Sequence, residues 1–192
     1  MFHRKEAMDI VTPKSAARGE KSRTSFYRSA KSGGWERIAR GLYLPVDSSA
    51  ADWDQLEASA RRPEATICLV SALAYHDLTD TIPQALDVAI PRGTRTPASA
   101  AAIDWHQFDA ATFDLERENI AIPGSAQKIG IYTPERTIAD CFRLRASTGY
   151  EIPRDALKEW LRRGGKPAKL MKIARALPRS TKPVLDALEI LA

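Results

Sequence analysis

The sequence has few of the residues from which catalytic and metal sites are usually built. It holds 192 residues with two cysteines, three histidines and 7% aromatic residues. His3, His76 and His106 lie far apart and show no ligand-like spacing to the cysteines, so we expect no metal site. The glycine patterns of Walker-type phosphate loops and of protein kinases are both lacking. These absences favour a non-catalytic binding protein, for which we expect no catalytic residue and no cofactor.

Long apolar segments are lacking too. No run of about 18 apolar residues occurs, and the opening MFHRKEAMDI does not resemble the apolar core of a signal peptide. We therefore expect a cytoplasmic protein with no membrane partner. Cys68 and Cys141 lie in the apolar runs TICLV and IADCF, which predicts two buried thiols rather than a disulfide.

Charge is unevenly distributed along the chain, whose formal net charge is +5. Residues 1–45 hold ten Lys or Arg against four Asp or Glu, a net charge of +6. Residues 46–142 hold seven against fifteen, a net charge of −8, and residues 143–192 hold twelve against five, a net charge of +7. Clustered cations attract polyanions, although charge runs are also common on solvated faces. The basic head and the basic tail are therefore candidate binding surfaces.

Residues 1–45 show the pattern of a winged helix-turn-helix domain. The stretch VTPKSAARGEK predicts a short helix that Thr12 caps, and a second helix through SFYRSAKS ends at Gly33 and Gly34. The following stretch, WERIARGLYLP, predicts two short strands joined near Gly41. Two helices and a tight turn followed by a strand pair are typical of winged helices that place the second helix in the major groove of DNA.

Cations and hydroxyl groups of this segment are the candidate DNA contacts. Arg28 and Lys31 share one face of the second helix, and Arg37 and Arg40 lie on the predicted wing. Tyr27 is either a DNA contact or a core residue. The predicted DNA-binding residues are Lys21, Ser22, Arg23, Thr24, Tyr27, Arg28, Lys31, Arg37 and Arg40.

Residues 46–192 predict a mixed α/β domain that ends in a helical bundle, so the expected fold class is α+β. Asp52 is expected to cap a helix in DWDQLEASARR. In TICLVSALAYHDL the spacing of apolar residues over residues 66–70 is compatible with either a strand or a helix. Ser71 is expected to cap a helix in SALAYH. Four strands are predicted at ALDVAIP, IDWHQF, NIAIP and KIGIY.

Four helices are predicted after the last strand. Thr133 is expected to cap the first, TPERTIADCFRLR, and the others are PRDALKEWLRRG, PAKLMKIARAL and KPVLDALEIL, each opened by a proline. Within the first, Arg136 and Asp140 are spaced as an i, i+4 ion pair of about a few tenths of a kcal/mol. His76 and Asp77 are sequence neighbours, which do not face each other on a helix, so we expect no catalytic dyad there.

Four stretches together resemble the AbiEi antitoxins of bacterial type IV toxin-antitoxin systems. They are TPKSAARG, GGWERIARGLY, SALAYHDLTDTIPQALDVAIPRG and IYTPERTIADCFRLR, and they follow in register along most of the chain. The resemblance implies an N-terminal winged helix that represses its own operon by binding operator DNA. It also implies a C-terminal domain that neutralises a toxin with a nucleotidyltransferase fold, without a required stable complex.

The basic tail is the expected antitoxic surface, formed by Arg162, Arg163, Lys166, Lys169 and Lys172 around a Gly-Gly turn. Two alternatives remain open for how the toxin is neutralised. The antitoxin modifies the toxin enzymatically, for example by phosphotransfer, or its tail binds RNA in competition with the toxin. Only Tyr150 and Trp160 lie near the tail cations, which provides little base stacking for RNA.

Overall fold

The computed structural model describes residues 35–39, 42–45, 52–99 and 101–191, which form a mixed α/β structure as predicted. The two helices predicted before Trp35 lie outside the described residues. So do all the predicted DNA-binding residues except Arg37, which lies in the first strand.

The described chain divides into two compact units. The first takes in the described residues up to Ala65 together with Pro97–Ile103 and Asn119–Ile129. The second takes in Thr66–Thr96, Asp104–Glu118 and the chain from Gly130 onward. The domain boundary predicted between residues 45 and 46 stays a prediction.

A strand pair and a helix belong to the first unit. Strands β1 (Trp35–Ala39) and β2 (Leu42–Pro45) pair antiparallel, and Arg37 lies opposite Tyr43. The register shifts between Arg37 and Ala39, which marks an irregularity just before the turn. The two predicted strands are therefore present and paired, and the assignment of this hairpin as the wing of a winged helix stays a prediction.

Helix α1 (Trp53–Arg61) begins where its sequence predicts. The carboxylate of Asp52 accepts a hydrogen bond from the backbone N–H of Gln55 at 3.1 Å, as an N-cap residue does. Glu57 is buried on this helix, where its carboxylate accepts from Arg61 at 3.1 Å and from the backbone N–H of Ala101 at 3.1 Å. These two hydrogen bonds compensate for the burial of the Glu57 carboxylate, which would be unfavourable without partners.

A five-stranded mixed sheet has the strand order β5-β4-β3-β7-β6. Its short strand β3 pairs antiparallel with β4 and parallel with β7. All four predicted strands are present, although NIAIP forms one that starts and ends two residues earlier, because Ile122 already bonds across the following turn. The strands are β3 (Thr66–Ile67), β4 (Leu86–Pro91), β5 (Ile103–Phe108), β6 (Arg117–Ala121) and β7 (Lys128–Tyr132).

Helix α2 (Leu69–Tyr75) corrects the prediction that Ser71 is an N-cap. Cys68 occupies the N-cap position, and Ser71 lies one turn inside the helix. Its hydroxyl oxygen accepts from the backbone N–H of Asp87 at 2.8 Å, while its own backbone N–H donates to the Asp87 carboxylate at 3.2 Å. The N–H group of Ser71, in the first turn of α2, thus finds its acceptor on the neighbouring strand β4. Leu69, with φ of 44°, lies in the left-handed region where β3 gives way to α2.

The remaining helices form the bundle predicted at the end of the chain. Pro134 and Pro167 are each the first residue of their helix, as predicted, whereas Pro153 and Pro183 are the third residues of theirs. Thr133 takes the N-cap position of α3, but its hydroxyl bonds the Glu116 carboxylate at 3.3 Å instead of capping the helix. The helices are α3 (Pro134–Arg143), the short unpredicted α4 (Arg145–Thr148), α5 (Glu151–Arg162), α6 (Pro167–Ala176) and α7 (Thr181–Leu191).

Helix α3 is the centre of the core. Every residue from Glu135 to Phe142 is buried, and α3 packs against α2, α5, α6 and α7. Cys68 and Cys141 are both free and fully buried, as predicted. The helices packed around α3 bury it even though it contains several charged residues. Each buried charge then needs a partner, because an unpaired charge in the core is unstable.

Candidate functional site

The predicted antitoxic surface lies at the end of α5 and along α6, and part of its charge is already paired. Glu159 accepts from Arg162 at 2.7 Å and from Arg163 at 2.6 Å, and these hydrogen bonds lower the pKa of Glu159 to about 2. Arg163 also donates to the backbone carbonyl oxygens of His76 and Asp77. Arg163 therefore ties α5 to the end of α2, while the side chain of Arg162 stays 72% exposed.

Lys169 is also engaged in ion pairs. Its ammonium lies 2.9 Å from the Glu135 carboxylate and 4.0 Å from that of Glu116, and the hydrogen bond to Glu135 raises the pKa of Lys169. Lys166 and Lys172 are exposed, and their side-chain ammonium groups have no hydrogen-bond or ion-pair partner among the described residues. Of the five predicted residues, Arg162, Lys166 and Lys172 are thus the ones most available to a partner.

A second cationic surface, which we call the basic cleft, lies between α4, the start of α5 and the turn that joins α6 to α7. Its volume is about 830 Å³, which falls in the range of small-molecule sites. Four cations and a single carboxylate line it. The lining residues that carry charge or an aromatic ring are Arg143, Arg145, Tyr150, Arg179, Lys182 and Asp186.

Arg179 is held in the cleft by the turn on which it lies. Its φ of 60° is in the left-handed region, which costs a non-glycine residue about 1–2 kcal/mol. The next residue, Ser180, is fully buried and donates its hydroxyl to the Ala139 carbonyl oxygen at 3.0 Å. Thr181 then donates to the Ala174 carbonyl oxygen at 3.2 Å. These anchors fix the backbone of Arg179, whose guanidinium has no partner among the described residues.

The floor of the cleft is built by Arg143 and Arg145. Asp140 accepts from Arg143 at 2.7 Å, and the Arg143 guanidinium lies over the Phe108 ring at 5.1 Å. Arg145 donates through Nη1 to the Phe142 carbonyl oxygen at 3.0 Å, which leaves its other N–H groups free to bond elsewhere. The Arg143 guanidinium is therefore engaged by Asp140, which also pairs with Arg136, whereas Arg145 has N–H groups left to bind an anion.

One aromatic ring belongs to the same cleft. Tyr150 is 43% exposed and contacts Phe142 edge to face, with ring centroids 6.1 Å apart. Lys182 is paired with Asp186 at 3.0 Å, but its side chain is 85% exposed, where such a pair contributes little. The cleft thus combines an aromatic face with three available cations.

A separate groove of about 520 Å³ contains an acid and a histidine. His106 Nε2 lies 2.8 Å from Asp87 Oδ1, and the other carboxylate oxygen bonds Ser71. A Ser-His-Asp triad needs the imidazole between the hydroxyl and the carboxylate. Here the carboxylate lies between the other two groups, so the arrangement orients His106 but does not activate Ser71.

Neither His76 nor a metal-ligand cluster adds a further candidate. His76 Nε2 lies 2.8 Å from the Tyr132 carbonyl oxygen, so its partner is not the adjacent Asp77. Within the described ranges, no group of three or more His, Cys, Asp or Glu residues could hold a metal ion. In the same part of the chain, no helix is long and apolar enough to cross a membrane.

Sequence reasoning did not select the basic cleft. Arg145 and Arg179 are separated by 34 positions and join the same surface only because α4 and the α6–α7 turn pack on α3. The net charge of +7 after residue 142 indicated a cationic region without indicating which cations converge. The sequence LPRSTKP, which places Arg179 on the turn between α6 and α7 and Lys182 in the first turn of α7, is the one local signal.

Comparisons with known proteins show the fold alone. No protein-family model and no curated protein matches the sequence. Among solved structures, the chain is similar to the crystal structure of the RV2827C protein from Mycobacterium tuberculosis, with a TM-score of 0.60. The two are 14% identical over 94% of this chain and 71% of that one. The likeness supports the arrangement of helices and strands and says nothing about activity.

Proposed function

We propose that the protein is an antitoxin that binds operator DNA to repress its own operon and neutralises a nucleotidyltransferase-like toxin. The observation that carries the DNA-binding half is the β1–β2 hairpin, because an antiparallel strand pair lies where a wing should follow the recognition helix. The toxin-neutralising half is supported by the four ordered stretches that resemble AbiEi antitoxins. In this proposal the protein acts by binding, in the bacterial cytoplasm.

Neutralisation is assigned to the exposed cations of the tail. Lys166 and Lys172 are free to meet an acidic toxin face or the nucleic acid that the toxin would use. Arg162 adds a third exposed charge. Arg163 and Lys169 support the surface through their own ion pairs, so replacing them tests folding as much as binding.

Promoter binding is tested by replacing Arg23, Arg28 and Arg40 together with alanine. Each cation that contacts a phosphate contributes about one unit to the slope of log affinity against log salt concentration. The triple variant should therefore bind the operon's promoter more weakly, with a slope lower by up to about three units. An unchanged affinity and slope at several salt concentrations would remove this surface from the account.

The tail is tested by Lys166→Glu with Lys172→Glu in the full chain. The expected result is a loss of rescue from the cognate toxin, with promoter repression retained. Arg92→Glu with Lys128→Glu is the matched control, because both residues are exposed, lie outside the tail and change the net charge equally. Full rescue by the tail variant would exclude Lys166 and Lys172 as the antitoxic surface, and equal loss in both variants would point to net charge alone.

A further inference from the structure

We propose that the basic cleft binds a nucleotide, with the phosphate between Arg145, Arg179 and Lys182 and the base against Tyr150. The nucleotide is either free or the 5′-phosphorylated end of a single strand, since both present the same phosphate and base. The five predicted antitoxic residues, all of them described, do not line this cleft.

The phosphate end of the site follows from the three available cations. Arg179 lies on an anchored turn, so its backbone is in place before a ligand arrives, while its guanidinium has no partner among the described residues and stays available. Arg145 keeps N–H donors beyond the one used on Phe142. Guanidinium groups match phosphate oxygens with paired hydrogen bonds, and Lys182 adds a mobile charge at the rim.

The base end follows from Tyr150, and the position of the ribose next to the phosphate follows from Asp186. Tyr150 is supported by Phe142 at its edge and is 43% exposed, which leaves ring surface for stacking. Asp186 lines the same cleft, and its Oδ1 accepts from Lys182 at 3.0 Å, which leaves Oδ2 as an acceptor for a ribose hydroxyl. A nucleotide carries a phosphate and an aromatic base in one molecule, which matches cations and an exposed ring in one cleft, so the lining favours a nucleotide over a protein carboxylate.

The experiment measures binding to the purified full chain by isothermal titration calorimetry. The probes are adenosine and uridine 5′-monophosphate, 5′-phosphorylated triuridylate and inorganic phosphate. Arg179→Gly should weaken nucleotide binding about tenfold or more, because a charge-assisted contact is lost. Tyr150→Ala should weaken it about tenfold, while Tyr150→Phe, which keeps the ring, should bind within about twofold of the unaltered chain.

Arg179→Gly also separates binding from folding. Glycine adopts a φ of 60° without strain, so this variant should melt at a higher temperature while it binds less nucleotide. Arg92→Gly is the matched control, since Arg92 is exposed, outside the cleft and without a positive φ, so it should melt lower and bind normally. If nucleotide binding depended only on the stability of the fold, the melting temperature and the affinity would rise or fall together in each variant.

Each outcome decides the proposal. If the trinucleotide binds more tightly than the monophosphates, the ligand is a strand end. If the monophosphates bind as tightly as the trinucleotide, the ligand is a free nucleotide. Either result supports the site. No binding at millimolar nucleotide overturns it, as does binding that Arg179→Gly and Tyr150→Ala leave unchanged. Binding of inorganic phosphate as tight as that of the nucleotides also overturns it, because the base would then contribute nothing. Binding is measured without toxin or promoter, so failure here leaves the proposed antitoxin function untouched.

Discussion

Replacing Asp140 by alanine removes the carboxylate that two arginines share in the core. Asp140 accepts from Arg136 Nε at 2.7 Å and from Arg143 Nη2 at 2.7 Å, and its side chain is only 1% exposed. Arg136 is equally buried, donates to the carbonyl oxygens of Thr112 and Leu115, and lies over the Tyr132 ring at 4.4 Å. These neutral partners remain in the variant, but the single negative charge that lies between the two guanidinium groups does not.

The expected cost follows from that burial. Breaking a buried ion pair from one side costs about 3–5 kcal/mol, because the remaining charge stays desolvated and unpaired. A natural domain is stable by about 5–15 kcal/mol, so Asp140→Ala should lose a large share of the total. The i, i+4 spacing alone suggests only about a few tenths of a kcal/mol, the value for an exposed helix pair.

Urea unfolding followed by circular dichroism measures this difference. The matched control is Asp186→Ala, which breaks the Lys182–Asp186 pair with the same spacing and should cost less than about 1 kcal/mol because both partners are exposed. Asp140→Asn, which keeps one acceptor oxygen, serves if the alanine variant does not fold, and should also be clearly destabilised. The reasoning would be refuted if the Asp140 variants lost no more free energy of unfolding than Asp186→Ala.

Two further predictions concern individual titratable groups. Burial raises the pKa of the Cys68 and Cys141 thiols, so neither should react with a thiol reagent such as DTNB until the chain is unfolded, and reaction in the native state would contradict their placement. Glu159 should titrate in the folded protein near pH 2 instead of 4.5, so its stabilising contribution is present above pH 4.5 and is lost as the pH falls toward 2. An NMR titration checks the midpoint, which Arg163→Ala should move upward.

Short sequence patterns correctly predicted those helices and strands whose ends depend on residues close together in the chain. Asp52 caps α1 through a residue three positions away, so sequence alone contains the whole motif. Strand β4 likewise follows from its own short apolar run, residues 88–90, which is buried throughout. Ser71 was predicted wrongly because its partner, Asp87, is 16 positions away on a strand whose position the sequence did not provide.

Sequence spacing did not predict which ion pair is buried or which cations meet on one surface. The pair Arg136 and Asp140 has the signature of a surface ion pair, and only the packing of other helices around α3 places it in the core. The basic cleft has the same origin, because Arg145 and Arg179 become neighbours through tertiary packing. Sequence therefore predicted that the tail is cationic, whereas the structure determined which of its cations are free.

The most direct test of the central claim expresses the full chain together with its cognate toxin and a reporter under the operon's promoter. The account predicts that the unaltered chain restores growth and lowers reporter expression. It also predicts that the variant Arg23→Ala, Arg28→Ala and Arg40→Ala restores growth without lowering expression, because DNA binding and neutralisation use different residues. A chain that is folded and abundant but neither restores growth nor lowers expression would contradict the account.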